Sequence, residues 1–232
     1  HNHQCLDLPP KVYEKREVKL SQQQKIAYGE LKENCRVIIQ DEMASYNNKL
    51  TEIIKLQQAC NGFIKTDEGQ IIEFPCGKLD ELINILDEVD GKVIIWANFV
   101  YNIEKIIKTL EDKFGAMSVV SIYGDVPVVV RNSAVKNFQE NKKVRFFVGN
   151  PSTGGYGLNL TKANTVIYFS NSFNLEVRQQ SEDRAHRIKQ KKSVTYIDLI
   201  AKGTIDEFVL KSLNQKLTLS AQTLGEEVLK FL

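Results

Sequence analysis

After Gly77, short runs of apolar residues alternate with segments in which apolar residues recur every three or four positions. The short runs are rich in β-branched side chains, which is typical of buried strands. They lie at Val93–Ala97, Ser118–Tyr123, Val144–Val148, Thr165–Phe169 and Val194–Ile200. The segments between them predict amphipathic helices, for example through Ile103, Ile106 and Leu110 and over Val130–Gln139. This alternation predicts an α/β fold with a parallel sheet and helices on both faces.

The chain before Pro75 has a different pattern. It predicts two helices, over Leu20–Asn34 and Asp41–Cys60, with Ser21 as the N-cap of the first. Lys, Gln and Glu are frequent in both, as expected of helices that project from a fold. Asn61–Pro75 predicts a hairpin or loop. We therefore expect an N-terminal helical protrusion over residues 21–75 and an α/β lobe over residues 76–232.

The C-terminal segment carries a helix-start signal. Thr204 and Glu207 have the T-x-x-E spacing of a capping box, which predicts a long helix with Phe208, Val209 and Leu213 facing inward.

Composition narrows the class of protein. The 232 residues are 42% hydrophobic and 26% charged, as in ordinary globular proteins, and the net charge of +2 is too small to indicate nucleic-acid binding by itself. The four cysteines, with no C-x-x-C pair, favour reduced thiols over a zinc site; they are Cys5, Cys35, Cys60 and Cys76. No apolar run approaches the length of a membrane span. The expected location is cytoplasmic or nuclear, without a membrane.

A glycine-rich loop follows one predicted strand. Gly149–Leu160 contains Gly154, Gly155 and Gly157, which let backbone N–H groups approach an anion. The spacing matches neither the dinucleotide fingerprint nor a Walker A loop, and an ordinary turn is the alternative.

The segment QQSEDRAHRIKQ, from Gln179 to Gln190, is the strongest candidate for chemistry. On a helix, Gln180, Arg184 and Arg187 would share one face and present two guanidiniums to phosphate oxygens. The alternative is a solvated face with an Asp183–Arg187 ion pair. A glycine loop and an arginine helix at neighbouring strand ends favour the phosphate site.

Together these motifs are similar to those of the second (C-terminal) RecA-like lobe of superfamily two helicases, in the family of Swi/Snf-type DNA translocases. QQSEDRAHRIKQ resembles motif VI, whose usual form is Q-A-x-D-R-x-H-R-I-G-Q, and STGGYGLNL resembles motif V. VIIWANF resembles motif IV, and YGDVPVVVRNSAVKNFQ resembles motif IVa with Gly124, Arg131 and Phe138 in place. Residues 1–20 resemble the segment that joins the two lobes. The resemblance covers nearly the whole chain.

The resemblance implies particular roles. Arg184 and Arg187 would be catalytic arginine fingers on the γ-phosphate of ATP, Gly155 and Gly157 would border the nucleotide, and Gln180 would couple that site to DNA. The residues implied near the nucleic-acid backbone are Asn98, Phe99, Gly124, Arg131, Ser152, Thr153, Gly154, Asn171 and Phe173. ATP and Mg²⁺ would be held mainly by the first lobe, so this chain alone is expected to be inactive as an ATPase. The implied partners are double-stranded DNA and that first lobe.

Three places depart from the family's pattern. Lys189 replaces the usual glycine of motif VI, Pro151–Thr153 replace the common T-R-A lead of motif V, and Phe173 replaces a tryptophan.

Several residues and functions have simpler readings. We interpret His186 as a packing or hydrogen-bonding residue rather than a metal ligand, and Trp96 as core. A basic cluster of Lys189, Lys191 and Lys192, with Arg178, fits either a solvated turn or a DNA contact.

Two other functions stay open: a stand-alone nucleic-acid-binding or interaction module without catalysis, and a small nucleotide-binding enzyme complete in itself. The second lacks an acid–base pair at the strand ends.

Overall fold

The structure, a computed structural model, describes residues 8–41, 43–153, 157–216 and 221–232. Its strands are β1 (Lys11–Val18), β2 (Phe63–Lys65), β3 (Ile71–Glu73), β4 (Lys92–Trp96), β5 (Val119–Ile122), β6 (Phe146–Gly149), β7 (Ala163–Tyr168) and β8 (Val194–Ala201). Its helices are α1 (Gln22–Gln40), α2 (Tyr46–Cys60), α3 (Gly77–Glu88), α4 (Val100–Phe114), α5 (Val128–Glu140), α6 (Leu175–Glu182), α7 (Ile205–Asn214) and α8 (Ala221–Phe231).

Six strands form one sheet in the order β1-β8-β7-β4-β6-β5, and β2 pairs with β3 in a separate antiparallel hairpin. β4 runs parallel to both of its neighbours, with Ile94 opposite Phe147 of β6 and Val166 of β7. β5 pairs parallel with β6, and β7 parallel with β8. The predicted parallel sheet is confirmed. Its central strands are buried on both faces, which is why they read as continuous apolar runs.

Strand β1 was not predicted. It lies at the edge of the sheet beside β8, where Val194 N donates to Pro10 O at one end and Lys202 N donates to Val18 O at the other. Its sequence, KVYEKREV, is mostly charged and mostly exposed. Charge is typical of an edge strand, because it opposes pairing with a further chain.

Helices cover both faces of the sheet, as predicted. Phe146 and Phe147 are neighbours in β6, so their side chains point to opposite faces. The Phe146 ring lies 4.9 Å from that of Phe114 in α4, and the Phe147 ring lies 5.6 Å from that of Phe138 in α5. Both phenylalanines of β6 are therefore fully buried, one under each layer of helices.

The chain divides into two compact units. The first contains the residues up to Arg16, together with Asn84–Ser170 and Glu176–Leu199. Its core is built from inward side chains of the sheet and of α5, among them Ile94, Trp96, Phe147, Val166 and Tyr196. Trp96 is 1% exposed, which confirms it as core.

The second unit contains Glu17–Ile83, Asn171–Leu175 and Ile200–Leu232. Helices α1, α2, α7 and α8 supply its core, in which Cys35 and Leu56 are fully buried. The two N-terminal helices therefore bury one face within this unit. The capping box at the start of α1 pairs Ser21 with Gln24, and both of its hydrogen bonds form. The sequence division at residues 20 and 75 stays a prediction, since compact units follow contacts and not chain segments.

The predicted long C-terminal helix is two shorter ones. Thr204 does cap α7, since its Oγ1 accepts from Asp206 N. The predicted capping box does not close, because Glu207 Oε1 accepts from Gly203 N and not from Thr204 N. α7 ends at Asn214, and Lys216 takes a positive φ of 54°. A side chain in that conformation cannot continue a right-handed helix.

Cys35, Cys60 and Cys76 are free thiols, with the first two buried. Cys5 lies outside the described residues. No helix in the described ranges is long and apolar enough to cross a membrane.

Candidate nucleotide and nucleic-acid site

A cleft of about 820 Å³ opens in the first unit between the loop after β6 and the segment after α6. Five of the predicted site residues line it together: Ser152, Gly157, Gln180, Arg184 and Arg187. Gly157 has a φ of +96°, a conformation that other residues rarely adopt. The predicted contacts of Gly154 and Gly155 lie outside the described residues.

The helix that was expected to carry both arginines ends before them. α6 stops at Glu182, so the predicted stripe of Gln180, Arg184 and Arg187 on one helical face is wrong. Ala185 N and His186 N both donate to Glu182 O, and Leu160 N then donates to Arg184 O at 3.0 Å. That carbonyl is thus satisfied by another segment of the chain. Tertiary hydrogen bonds, not helical periodicity, bring the arginines to the cleft.

Arg184 is a buried cation with an incomplete set of partners. It is 8% exposed, and its guanidinium carbon lies 5.2 Å from the centre of the Trp96 ring. Its Nη1 has no hydrogen-bond partner among the described residues. Burial lowers the pKa of this guanidinium, opposed by the nearby Tyr168. A buried donor without a partner is costly, so the position suits an anion that completes its hydrogen bonds.

Most of the other polar residues of the cleft are exposed, whereas Lys11 and His186 are half-buried. Arg187 is exposed and forms no ion pair with another described residue. Asp183 pairs with Lys11 at 3.3 Å, so the alternative of an Asp183–Arg187 pair is wrong. Gln180 Nε2 donates to Glu176 Oε1 at 2.9 Å. The lining therefore carries three cations, Lys11, Arg184 and Arg187, against one carboxylate.

A buried charge network holds α6 against the sheet. The Arg178 guanidinium donates to both carboxylate oxygens of Asp198, at 2.6 and 3.1 Å, and to Glu182 Oε1 at 2.8 Å. It also stacks on Tyr168, 3.6 Å from the ring centre. Arg178 is 8% exposed, so its predicted membership of the basic cluster with Lys189 is wrong. The positive charge of Arg178 is neutralised inside the fold by Asp198 and Glu182.

Strand β1 joins this network from the other side. Lys11 Nζ and Tyr13 Oη both donate to Glu182 Oε2, at 3.1 and 2.8 Å. Burial would raise the pKa of Glu182, but the hydrogen bonds from Arg178, Tyr13 and Lys11 hold it below its ordinary value. His186 Nε2 lies 2.6 Å from Pro9 O, which confirms the hydrogen-bonding interpretation of that histidine. The segment before and within β1 thus lies directly beside motif VI, which the sequence did not reveal.

Asn150 organises the strand ends next to the cleft. Its Nδ2 donates to Asn98 O at 2.9 Å, and its Oδ1 accepts from Ser152 N at 2.8 Å and from the Ser152 hydroxyl. Asn98 N in turn donates to Ser170 Oγ at 2.9 Å. Sequence reasoning missed Asn150, although an asparagine directly after a buried strand is a position where loops begin. It fixes the place of two predicted DNA-contact residues.

The remaining predicted contacts are spread over both units. In the first, Phe99 precedes α4, Gly124 is exposed with a φ of +65°, and Arg131 Nε donates to Val126 O at 2.9 Å. Thr153 closes a turn on Asn150. In the second unit, Asn171 O accepts from Gln57 Nε2, and the Phe173 ring lies 5.7 Å from that of Phe208. The nucleic-acid role of all of these residues stays a prediction.

Comparison with known proteins gives consistent matches. Residues 77–189 match the family model described as the helicase conserved C-terminal domain. An uncharacterized ATP-dependent helicase of Mycoplasma genitalium is 31% identical over 226 residues, which is 96% of this chain and 22% of that protein. The chain therefore spans about a fifth of this curated relative.

Solved structures match over almost the whole chain. The C-terminal part of the Fun30 ATPase domain is similar with a TM-score of 0.77 at 20% identity, and 97% of each chain is covered. The Sulfolobus solfataricus SWI2/SNF2 ATPase core in complex with double-stranded DNA is similar with a TM-score of 0.73 at 27% identity, over 95% of this chain and 47% of that one. The α/β architecture is thus a RecA-like one.

Proposed function

Because the chain belongs to the helicase C-terminal domain family, as the second lobe of a Swi2/Snf2-type ATPase, we propose that it supplies arginine fingers to ATP held by a first lobe. The observation that carries this proposal is Arg184. It is a buried guanidinium whose Nη1 has no partner among the described residues, and it lines a cleft together with a second arginine, Arg187.

The cleft suits the phosphates of a nucleotide. Three cations face one carboxylate, and arginine matches phosphate oxygens with its planar fork. The described residues contain no group of three or more His, Cys, Asp or Glu side chains that could hold a metal ion. We propose, as the family resemblance implies, that the first lobe would hold Mg²⁺ together with the lysine that contacts the phosphates. The chemistry that ATP supplies is transfer of its γ-phosphoryl group to water.

Arg184 and Arg187 would act on the transition state. Charge spreads over the oxygens of the transferred phosphoryl group, and a guanidinium already in place stabilises that charge without reorganising. An arginine finger contributes about 10³ to 10⁵ in rate, or roughly 4 to 7 kcal/mol of barrier. Burial of Arg184 strengthens its field, because few waters are left to screen it.

We propose that the strand ends hold the backbone of double-stranded DNA. Asn150 fixes Asn98 and Ser152 beside each other, and hydroxyl and backbone N–H groups of this kind bind phosphate oxygens without reading sequence. The related Sulfolobus solfataricus ATPase core was solved in complex with double-stranded DNA, which supports the choice of ligand. Closure of the two lobes on ATP and opening after hydrolysis would then move these contacts along the duplex.

The test is hydrolysis by the enzyme that carries both lobes. Arg184→Ala and Arg187→Ala are each expected to lower DNA-stimulated kcat by at least about 10³, while the affinity for ATP stays within a few-fold. Arg187 is exposed, so Arg187→Ala should leave the stability of the fold unchanged. Arg184→Ala removes a buried charge but also the packing of its side chain on Trp96, so it should lower stability without unfolding the chain. Thermal unfolding of the same variants of the 232-residue chain, followed by circular dichroism, checks this.

Arg36→Ala is the matched control, because Arg36 pairs with the exposed Glu33 and belongs to the second unit, whereas all the residues that line the cleft belong to the first. Its kcat should equal that of the wild type. If both cleft variants kept DNA-stimulated hydrolysis, the finger assignment would be wrong.

The chain alone is expected to show no ATPase activity, since it has no Walker A loop. Turnover by the purified 232-residue chain that Arg187→Ala abolishes would contradict the split site. It would favour a complete nucleotide-binding enzyme instead.

A further inference from the structure

Five lysines line a second cleft in the first unit, a concavity of about 570 Å³. They are Lys92, Lys162, Lys189, Lys191 and Lys192. The other described residues that line it are neutral. Lys162, Lys189, Lys191 and Lys192 are exposed, and none of the four forms an ion pair with a described residue. The cleft is thus strongly and uniformly positive, although the chain as a whole is close to neutral.

This cleft lies at the starts of the strands. Lys92 begins β4, Lys162 directly precedes β7, and Lys192 lies two residues before β8. Asn98 and Asn150 follow the ends of β4 and β6. At about 3.3 Å per residue, the five residues of β4 separate the two edges by about 17 Å. The lysine cleft is therefore a different place from the predicted DNA contacts at the strand ends.

Gln190 fixes the loop that carries three of the lysines. Its side chain is 8% exposed, and its Nε2 donates to the carbonyls of Thr161, Ala163 and Ala185 at 3.1, 2.9 and 3.0 Å. Its Oε1 accepts from Lys191 N and Lys192 N at 3.0 and 3.1 Å. One buried amide thereby ties the lysine loop to the segment before β7.

A second amide fixes Lys162. Gln139, near the end of α5, accepts from Lys162 N at 3.0 Å and donates to Thr161 Oγ1 at 3.3 Å. Thr161 Oγ1 also donates to Asn159 Oδ1 at 2.9 Å. The backbones that carry the lysines are thus held in place before any ligand binds, which lowers the entropy that binding would cost.

The lysines also act on each other. Lys92 Nζ donates to Asn141 O at 2.8 Å and to Val144 O. Burial lowers the pKa of Lys92, and the charge of Lys162 lowers it further. The charges of Lys92 and Lys162 therefore repel each other, and an anion between them would relieve that repulsion.

Lys189 is held in a conformation that lysine avoids. Its φ is 89°, in the region that favours glycine. Strain of this kind persists where something else fixes the position, and here it places another ammonium group in the cleft. A glycine would satisfy the backbone but not supply the charge.

We propose that this lysine cleft binds the phosphate backbone of a nucleic acid, as a contact separate from the one at the strand ends. Lysines present mobile point charges with no fixed geometry, which suits binding to any sequence. The inference relies on the proposed function only in taking DNA as the nucleic acid. It adds a second surface through which the lobe holds its polymer.

Two double variants test the contact by salt titration. Lys162→Gln/Lys192→Gln removes two charges from the cleft. Lys25→Gln/Lys108→Gln removes two exposed charges, from α1 and α4, that form no ion pair with a described residue. The probe is a fluorescein-labelled 20-base-pair duplex bound by the 232-residue chain. Each lost phosphate contact lowers the slope of log K against log salt by about 0.9, so the cleft variant should lose up to about 1.8 and the control should keep the wild-type slope. Equal slopes in the two variants would overturn the proposal.

Lys189→Gly separates binding from folding. Glycine relieves the positive φ, so this variant should melt at a higher temperature than the wild type while binding the duplex more weakly. Unchanged or tighter binding would count against the cleft.

Acetylation of lysines, read by mass spectrometry, locates the ligand. Duplex DNA should protect Lys162 and Lys191 but not Lys25 or Lys108. Protection by inorganic triphosphate with none by the duplex would show a small-anion site and overturn the nucleic-acid assignment. If Lys162→Gln/Lys192→Gln and Lys189→Gly bind the duplex normally while Arg131→Gln weakens binding, this inference fails and the proposed function stands. If the wild-type chain binds no duplex, the lysine-cleft contact and the proposed strand-end contact both fail, while the arginine-finger proposal is still decided by the hydrolysis assay.

Discussion

Replacing Arg178 by methionine is expected to destabilise the first unit by about 3 to 5 kcal/mol, the usual cost of removing one partner from a buried ion pair. The change deprives Asp198 and Glu182, whose side chains are 5% and 9% exposed, of the guanidinium that they share. Glu182 keeps its bonds from Lys11 and Tyr13, which limits the loss on that side. Most of the penalty therefore falls on Asp198.

A double-mutant cycle measures this coupling. Asp198→Asn alone should cost about 3 kcal/mol, because Arg178 then loses its bidentate partner and stays buried. The double variant Arg178→Met/Asp198→Asn leaves no uncompensated charge at position 198. It should be more stable than the sum of the single changes by about 2 to 3 kcal/mol.

Urea unfolding followed by Trp96 fluorescence reports on the first unit, which contains Arg178 and Asp198, because Trp96 and Tyr168 belong to the core of that unit. The control cycle is Lys113→Met/Asp87→Asn, an exposed pair of the same unit that should couple by no more than about 1 kcal/mol. A coupling below about 0.5 kcal/mol at the buried pair would refute the reasoning that these charges stabilise one another.

Two further predictions concern acid stability and helix capping. Burial raises the pKa of Glu182, but its hydrogen bonds outweigh burial and hold the pKa below its ordinary value of 4.5 in the folded chain. Ionised Glu182 therefore stabilises the folded state above about pH 4.5, and this stabilisation is lost as the pH falls. Glu182→Gln should be less stable at neutral pH and should lose less stability between pH 6 and pH 3.5 in the same fluorescence assay; parallel curves would contradict this. Ser21→Ala removes one side of the capping box of α1 and should cost about 1 kcal/mol in urea unfolding followed by circular dichroism. Thr51→Ala, which removes a hydroxyl within α2, is the control and should cost less; an equal loss would show that the cap contributes nothing of its own.

The sheet could be predicted because its central strands are buried on both faces. Val93, Ile94 and Ile95 are fully buried, and no polar residue interrupts such a run. β1 could not be recognised in the same way, since an edge strand can be held by backbone partners and most of the charged side chains of β1 are exposed. The sequence carries no periodic signal there.

The end of α6 could not be predicted for a different reason. Residues 179–190 have a composition compatible with a continuous helix. The carbonyl of Arg184 is instead satisfied by Leu160 N, from the loop before β7, and that of Ala185 by the side chain of Gln190. Local periodicity contains no information on those partners. The same holds for Arg178, which looked like a surface charge until Asp198, twenty residues away, was placed beside it.

Lys189 and its neighbours have a thermodynamic consequence. Arg187 and Ile188 line the arginine cleft, and the very next residues, Lys189–Lys192, line the lysine cleft, with the Gln190 amide pinning the segment in between. Residues 187–192 therefore line both clefts, one after the other along the chain. If ATP and a polyanion occupy the two clefts as proposed, their binding free energies are coupled reciprocally. Any factor by which the polyanion alters the affinity for ATP is then the factor by which ATP alters the affinity for the polyanion. Measuring the effect of the polyanion on ATP affinity would therefore also give the effect of ATP on polyanion affinity.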